Sequence, residues 1–281
     1  MTARTLSASM VGLEVAAAVH TIDARWLMAY AAALGIEDAR YFDTQRAGPL
    51  AHPLFAVCYE WPLALAVRDQ VIGPDIAPFG VHATHALTIH RPPRAGDTLH
   101  TSARVIAAEP RRAGTLVTVR FTTRDAGGAA VTTTDYGSVY RGVTLAEPGS
   151  SAPPREQAAA APGEAVWQEP LAIAAGAAHV YTECARIWNP IHTDIAVARA
   201  AGLPALILHG TATLALAVSR VMAREAGNDG RRVRAVQARF TGMVVMPSTL
   251  TVRGHAARDG AIAFDALAAG GARVLQGALS L

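Results

Sequence analysis

The chain has 281 residues, 51% of them hydrophobic and 17% charged, which is too long for one small module and too apolar for disorder. All 25 basic residues are arginine, and the absence of lysine excludes Schiff-base, P-loop and amine-nucleophile chemistry. A formal net charge of +3, with arginines scattered rather than interleaved with aromatics, excludes a dedicated nucleic-acid binder.

The N-terminal stretch MTARTLSASMVGLEVAAAVH carries Glu14 and no long apolar core, and no window approaches 18 uninterrupted apolar residues, so neither a leader nor a membrane span is expected. Two cysteines, Cys58 and Cys184, cannot build a disulfide framework or a four-cysteine zinc site, and they point to a reducing, cytoplasmic setting. A helical run opens at Tyr30 (YAAALGIED), followed by AGPLAHPLFA and a poorer helix, CYEWPLALAVRDQ. Four alternating runs come next, HATHALTIHR, TLHTSARVIAAE, TLVTVRFTTRD and AVTTTDYGSVYRG, which read as strands of an antiparallel meander.

Residues 146–165, AEPGSSAPPREQAAAAPGEA, have no hydrophobic periodicity and read as a linker. It separates an N-terminal domain, residues 1–145, with 13 Arg and 12 acidic residues, from a C-terminal domain, residues 166–281, with 11 Arg and 7 acidic residues. The second part repeats the plan of the first. Tyr181 opens YTECARIWN as Tyr30 opens its run, and MPSTLTVRGHA from Met246 parallels AGDTLHTSARV from Ala95, both at an offset of 151. Residues 209–227, HGTATLALAVSRVMAREAG, read as a buried helix that stops at Gly227. The strand patterns VRAVQARFTG, TLTVRGHAAR, AIAFDALAA and ARVLQGALSL follow it. One apolar helix followed by antiparallel strands in each half is an α+β pattern, with the sheet curled round a central helix. There is no βαβ rhythm and no GxGxxG, which disfavours a dinucleotide fold.

The most specific segment runs from Tyr181 to Gly210, YTECARIWNPIHTDIAVARAAGLPALILHG. With Asn189, Pro190, Ile191, His192, Asp194, Ala200, Gly202, Pro204, His209 and Gly210 in register, it resembles the signature of the MaoC-like dehydratases and (R)-specific enoyl-CoA hydratases. The resemblance implies two tandem hot-dog domains, the first degenerate, acting on an acyl-CoA or carrier-bound acyl thioester with no cofactor and no metal. It also implies hydration of an enoyl thioester or dehydration of the 3-hydroxyacyl form, in a homodimer or a hetero-oligomer of hot-dog chains. Such chemistry needs a base for water, a proton source for the α-carbon and donors for the thioester oxygen. By the family pattern His192 is the base, Asn189 positions the water and Gly210, opening the long helix, is the oxyanion donor.

One family position departs. Where the pattern has its catalytic aspartate this chain has Ile187, which can neither accept a proton nor hold a water. His192 alone, a substitute acid such as Glu183 one helical turn earlier, or binding without turnover are the readings left open. A thioesterase is the least favoured, because residues 209–221 contain no acid. Nothing in AGPLAHPLFA reproduces Asn-x-x-His, so one site per chain is expected. Arg231, Arg232 and Arg234 read either as a solvated turn or as an anchor for coenzyme A phosphates. Asp194 reads as a helix cap, His209 as a structural hydrogen-bonding residue and Cys184 as a structural thiol. His82, His85 and His90, spaced so that they do not share one strand face, give no metal site.

Overall fold

The computed structural model describes residues 4–45, 48–151, 163–258 and 260–281. Most of the expected linker, residues 152–162, lies outside the described residues. The first half runs β1 (Arg4–Leu6), β2 (Glu14–Thr21), α1 (Ala24–Ala33), α2 (Ala56–Val71), β3 (Gly80–Ile89), β4 (Thr98–Arg111), β5 (Gly114–Asp125), β6 (Ala130–Arg141), β7 (Val143–Leu145) and β8 (Ser150–Ser151). The second half runs β9 (Ala165–Ile173), α3 (Ala177–Ala185), α4 (Ile195–Ala200), α5 (Gly210–Glu225), β10 (Ala235–Phe240), β11 (Ser248–His255), β12 (Ala261–Leu267) and β13 (Arg273–Ser280).

An eleven-stranded sheet carries both halves in the order β2-β4-β5-β6-β3-β10-β13-β12-β11-β9, with β8 paired to β4 besides. The ten-strand order is a palindrome of the repeat, since β2, β4, β5, β6 and β3 have their counterparts β9, β11, β12, β13 and β10 at the mirrored places. The halves join where β3 meets β10, antiparallel, from Thr88 opposite Ala235 to Thr84 opposite Arg239. The sheet departs from a simple meander. β3 pairs with β6 rather than with β4, and β10 with β13, so only β4–β5–β6 and β11–β12–β13 are hairpin-connected in series. In the first half the segment RPPRAGD, with two prolines, leads from β3 to β4. Arg91 clamps Asp97 at 2.7 Å and Asp125 at 3.0 Å.

β4 alternates exposed and buried from His100 to Val105, the signature of a strand with one face on the core. α5 is buried on nearly every face from Thr211 to Met222, because the sheet wraps it. α1 begins earlier than Tyr30: the Asp23 side chain accepts from Trp26 N–H at 2.7 Å, and the helix ends before Gly35, whose φ of +66° suits glycine. Tyr30 therefore lies in the last turns of α1, and Ile36, Glu37 and Asp38 of the expected run lie beyond it. α1 packs on α3, and Tyr30 meets Tyr181 with ring centroids 5.8 Å and hydroxyls 3.4 Å apart. The two tyrosines that marked the sequence repeat thus touch each other on its pseudo-twofold axis.

One buried cluster spans both halves, holding Tyr30, Phe55 and Leu87 together with Tyr181, Leu214 and Val236. A second, with Leu63, Val67, Val105 and Phe121, belongs to the first half alone. No helix among the described residues is long and apolar enough to cross a membrane. Because sheet and core are continuous across the seam, unfolding is expected as a single transition, with far-ultraviolet circular dichroism and tryptophan fluorescence giving coincident midpoints in urea. Two separated midpoints would contradict a shared core.

Candidate active site at the seam

The turn after α3 sets up the site. Arg186 adopts a left-handed conformation, φ 59°, which ends the helix and sends Ile187 inward to 3% exposure. Asn189 precedes a short helical turn, Pro190–His192, without capping it through its side chain. Asp194 does cap: its Oδ1 accepts from the N–H groups of Ala196 at 2.8 Å and Val197 at 3.2 Å, starting α4. Beyond α4, Leu208 N–H donates to the Val244 carbonyl at 2.8 Å, which fixes the approach to α5.

His192 lies 8% exposed, with Nδ1 2.9 Å from the Ile207 carbonyl oxygen. A carbonyl only accepts, so Nδ1 carries the proton and Nε2 keeps its lone pair. The ring stacks on His209 at 3.7 Å between centroids, and His209 Nε2 lies 3.2 Å from Thr182 Oγ1. Burial pushes His192 down to about 4, against a smaller opposing effect of its backbone hydrogen bond, and drives His209 well below its ordinary value. Both imidazoles are neutral at pH 7. Gly210 follows as the first residue of α5, where the leading N–H groups of a helix have no partner within it. A Cβ there would come within 3.3 Å of His82 Cβ and Nδ1 and 3.4 Å of Phe240, so glycine permits the close packing of the helix start against the first half.

These groups open onto a cavity of about 730 Å³ lined from both halves. Ile187, Asn189, His192 and Gly210 contribute from the second half, and Glu60, Arg68, His82 and Tyr136 from the first. Three of these were missed in the sequence, and His82 was weighed only as a metal ligand. A register shift between His82 and Thr84 brings His82 and His85 within 5.4 Å, so the spacing argument that separated them does not hold. His82 stacks on Tyr136 at 4.0 Å and leans on Phe240 at 4.4 Å. Glu60 is 3% exposed and accepts from Thr134 Oγ1 at 2.6 Å, and desolvation pushes its carboxyl up to about 8. The signal for it was in plain view, a single acid inside the apolar run FAVCYEWPLALAV.

Other sequence candidates lie elsewhere. Glu183 is exposed and lines a separate depression beside Trp188, because α3 ends at Ala185 and does not carry its face on to Ile187. Arg231, Arg232 and Arg234 are exposed and do not line the cavity. They follow the far end of α5, roughly 24 Å from Gly210 at 1.5 Å per residue, and Arg231 pairs with Asp229 at 2.7 Å. Cys184 is partly buried, and burial raises its thiol above the ordinary range.

The geometry can be set beside known proteins. Residues 157–266 match the MaoC like domain, and residues 9–134 match the FAS1-like, dehydratase domain region. The solved MaoC-like dehydratase from Phytophthora capsici superposes with a TM-score of 0.83 at 22% identity, covering 96% of this chain and 95% of that one. The full-length peroxisomal multifunctional enzyme type 2 of Drosophila melanogaster gives 0.79 at 21% identity, covering 95% of this chain and 48% of that one. A Mycobacterium tuberculosis protein described as a double hot-dog fold gives 0.63 at 19%, covering 96% and 95%. In sequence, the fatty acid synthase subunit beta of Aspergillus oryzae is 42% identical over 76 residues, 26% of this chain and 4% of that protein. The Drosophila multifunctional enzyme is 42% identical over 64 residues, 23% and 11%. The matched stretches are thus small parts of those longer relatives. The fold is a double hot dog. The chain carries a FAS1-like dehydratase region in its first half and a MaoC like domain in its second.

Glu60 gives a test of the cavity's electrostatics. The folded protein keeps this proton to about pH 8, whereas an ordinary glutamate releases it near 4.5. The unfolded chain therefore gains by ionising first: stability is full below about pH 4.5 and is lost as pH rises through 8. Glu60→Gln mimics the protonated form, so by pH 9 it should be more stable than the wild type by on the order of a few kcal/mol, with little difference at pH 4.5. Parallel urea midpoints at both pH values would contradict a desolvated carboxyl.

Proposed function

We propose that the chain is a hydro-lyase interconverting an α,β-unsaturated acyl thioester and its 3-hydroxyacyl thioester, with coenzyme A or a carrier protein holding the acyl group. The observation that carries this reading is the fixed tautomer of His192, whose Nδ1–H is committed to Ile207 while Nε2 is left for the cavity. In hydration, Nε2 takes a proton from water, the water oxygen bonds to the β-carbon, and the resulting imidazolium returns the proton to the α-carbon. Charge that grows on the thioester oxygen is met by the N–H of Gly210 at the start of α5. Asn189, on the same wall, has an amide free of capping duty to orient the water. The site acts in the cytoplasm, one per chain, within a homodimer or an assembly of hot-dog chains.

A second reading is favoured by Ile187, which puts an alkyl wall beside His192 where the family has a carboxylate. In that reading the chain binds thioesters without turning them over, or depends on a partner for the missing acid. Enoyl-CoA and 3-hydroxyacyl-CoA thioesters of graded length separate the two. Loss of the enoyl chromophore supports the hydro-lyase, whereas saturable binding without interconversion overturns it, and release of free thiol would indicate a thioesterase. His192→Ala should lower the hydration rate by on the order of 10²–10⁴-fold; an unchanged rate removes His192 from the chemistry. The base must be neutral and burial holds its pKa at about 4, so the rate should stay level from about pH 8 to 5 and fall below that. A fall centred near 6.5 would contradict the buried imidazole.

A further inference from the structure

The walls of the cavity are mostly aliphatic and aromatic, yet one permanent cation is built into them. Along α2, Val57, Glu60, Trp61, Ala64, Leu65 and Arg68 all line the cavity, at the spacings of three and four that put residues on one helix face. Arg68 lies near the end of this stripe, about 12 Å along the helix from Glu60, with the neighbouring Asp69 also in the wall, and among the described lining residues it is the only arginine.

Its guanidinium is poorly provided for. The side chain is 34% exposed, and Nε is shielded from solvent without a hydrogen-bond partner. The carboxylate paired with it is the adjacent Asp69, 3.5 Å from Nε and itself 72% exposed, a screened contact of little value. Around it in the cavity stand Tyr136, Ser138 and Tyr140. Burial raises both tyrosines, and the charge of Arg68 works against that rise, which puts the guanidinium within electrostatic reach of both rings. An arginine has five donors and no acceptor, so a donor shut away from water is costly until an acceptor arrives. A planar, doubly accepting oxyanion fits that fork best.

We propose that Arg68 binds an anionic oxygen group of the bound thioester, either a phosphate of its carrier or a carboxylate on its acyl chain. This deepens the hydro-lyase reading above by giving the substrate a charged end, and it assigns a binding role to the first half. The alternative is a structural role, in which Arg68 only complements the carbonyl end of α2.

Saturated thioesters, which no hydratase can turn over, separate these. Titration calorimetry is carried out on the full chain with butyryl-N-acetylcysteamine, which has no anion, butyryl-coenzyme A, which has phosphates, and glutaryl-N-acetylcysteamine, which has a carboxylate. Arg68→Gln should weaken one of the two anionic probes at least tenfold and change the neutral probe less than twofold; the probe affected identifies the anion. Arg68→Lys, which keeps a charge but not the fork, should retain part of the affinity. Equal weakening of all three probes, no weakening of either anionic one, or failure of the wild type to bind either anionic probe overturns the proposal. Because these probes do not react, absence of turnover with enoyl thioesters bears on the proposed function alone.

Discussion

The pairing of β3 with β10 is the constraint from which the rest follows. Five antiparallel pairs, from Thr88 opposite Ala235 to Thr84 opposite Arg239, turn two half-sheets into one and fix how the halves face each other. His82 on β3 and Phe240 on β10 are brought against Gly210 by that seam, so the start of α5 is enclosed by both halves rather than by its own alone. The contact of Tyr30 with Tyr181 closes the same axis at the helices. Without the seam the second half would keep its motif and lose one wall of its cavity.

What the motif does inside that cavity depends on a single donated hydrogen bond. With Nδ1–H given to Ile207, the other nitrogen of His192 is an acceptor, and burial keeps it neutral at physiological pH. Ile187 lines the same cavity, and no acid on the second half does so among the described lining residues. The other half adds polar groups of its own: Glu60 held protonated by desolvation, His82 packed on the helix start, and Arg68 with a buried Nε that has no hydrogen-bond partner. A half that carries no copy of the Asn-x-x-His motif therefore still shapes what can bind.

Much of this was legible in the sequence, for physical reasons. Hot-dog halves repeat a helix and strands of marked periodicity, so the strand runs and the buried helix from Gly210 emerged from alternation and apolar length, and the ten-position motif named the family. Asp194 read correctly as a cap because capping is local. What failed was non-local. The apolar composition of the YAAALGIED run extended the first helix beyond its stop at Gly35, and a bulge in β3 defeated the period-two argument for His82 and His85. Glu183, one of the alternatives left open, faces Ile187 only if the helix continues, and the left-handed Arg186 breaks the helical phase between them. Spacing along the chain could not show that Arg231, Arg232 and Arg234 lie at the opposite end of α5 from His192, or that Glu60 and Arg68 line its cavity.

The central claim is that one buried imidazole, neutral and protonated on Nδ1, presents a bare Nε2 to a cavity shared by both halves. Nitrogen-15 NMR of the histidine rings, with His192 assigned by its loss in His192→Ala, reads both tautomer and titration directly. The account predicts an Nδ1–H signal with an unprotonated Nε2 from about pH 8 down to 5, and protonation only towards pH 4. An Nε2–H tautomer, or titration of His192 near 6.5, would contradict it.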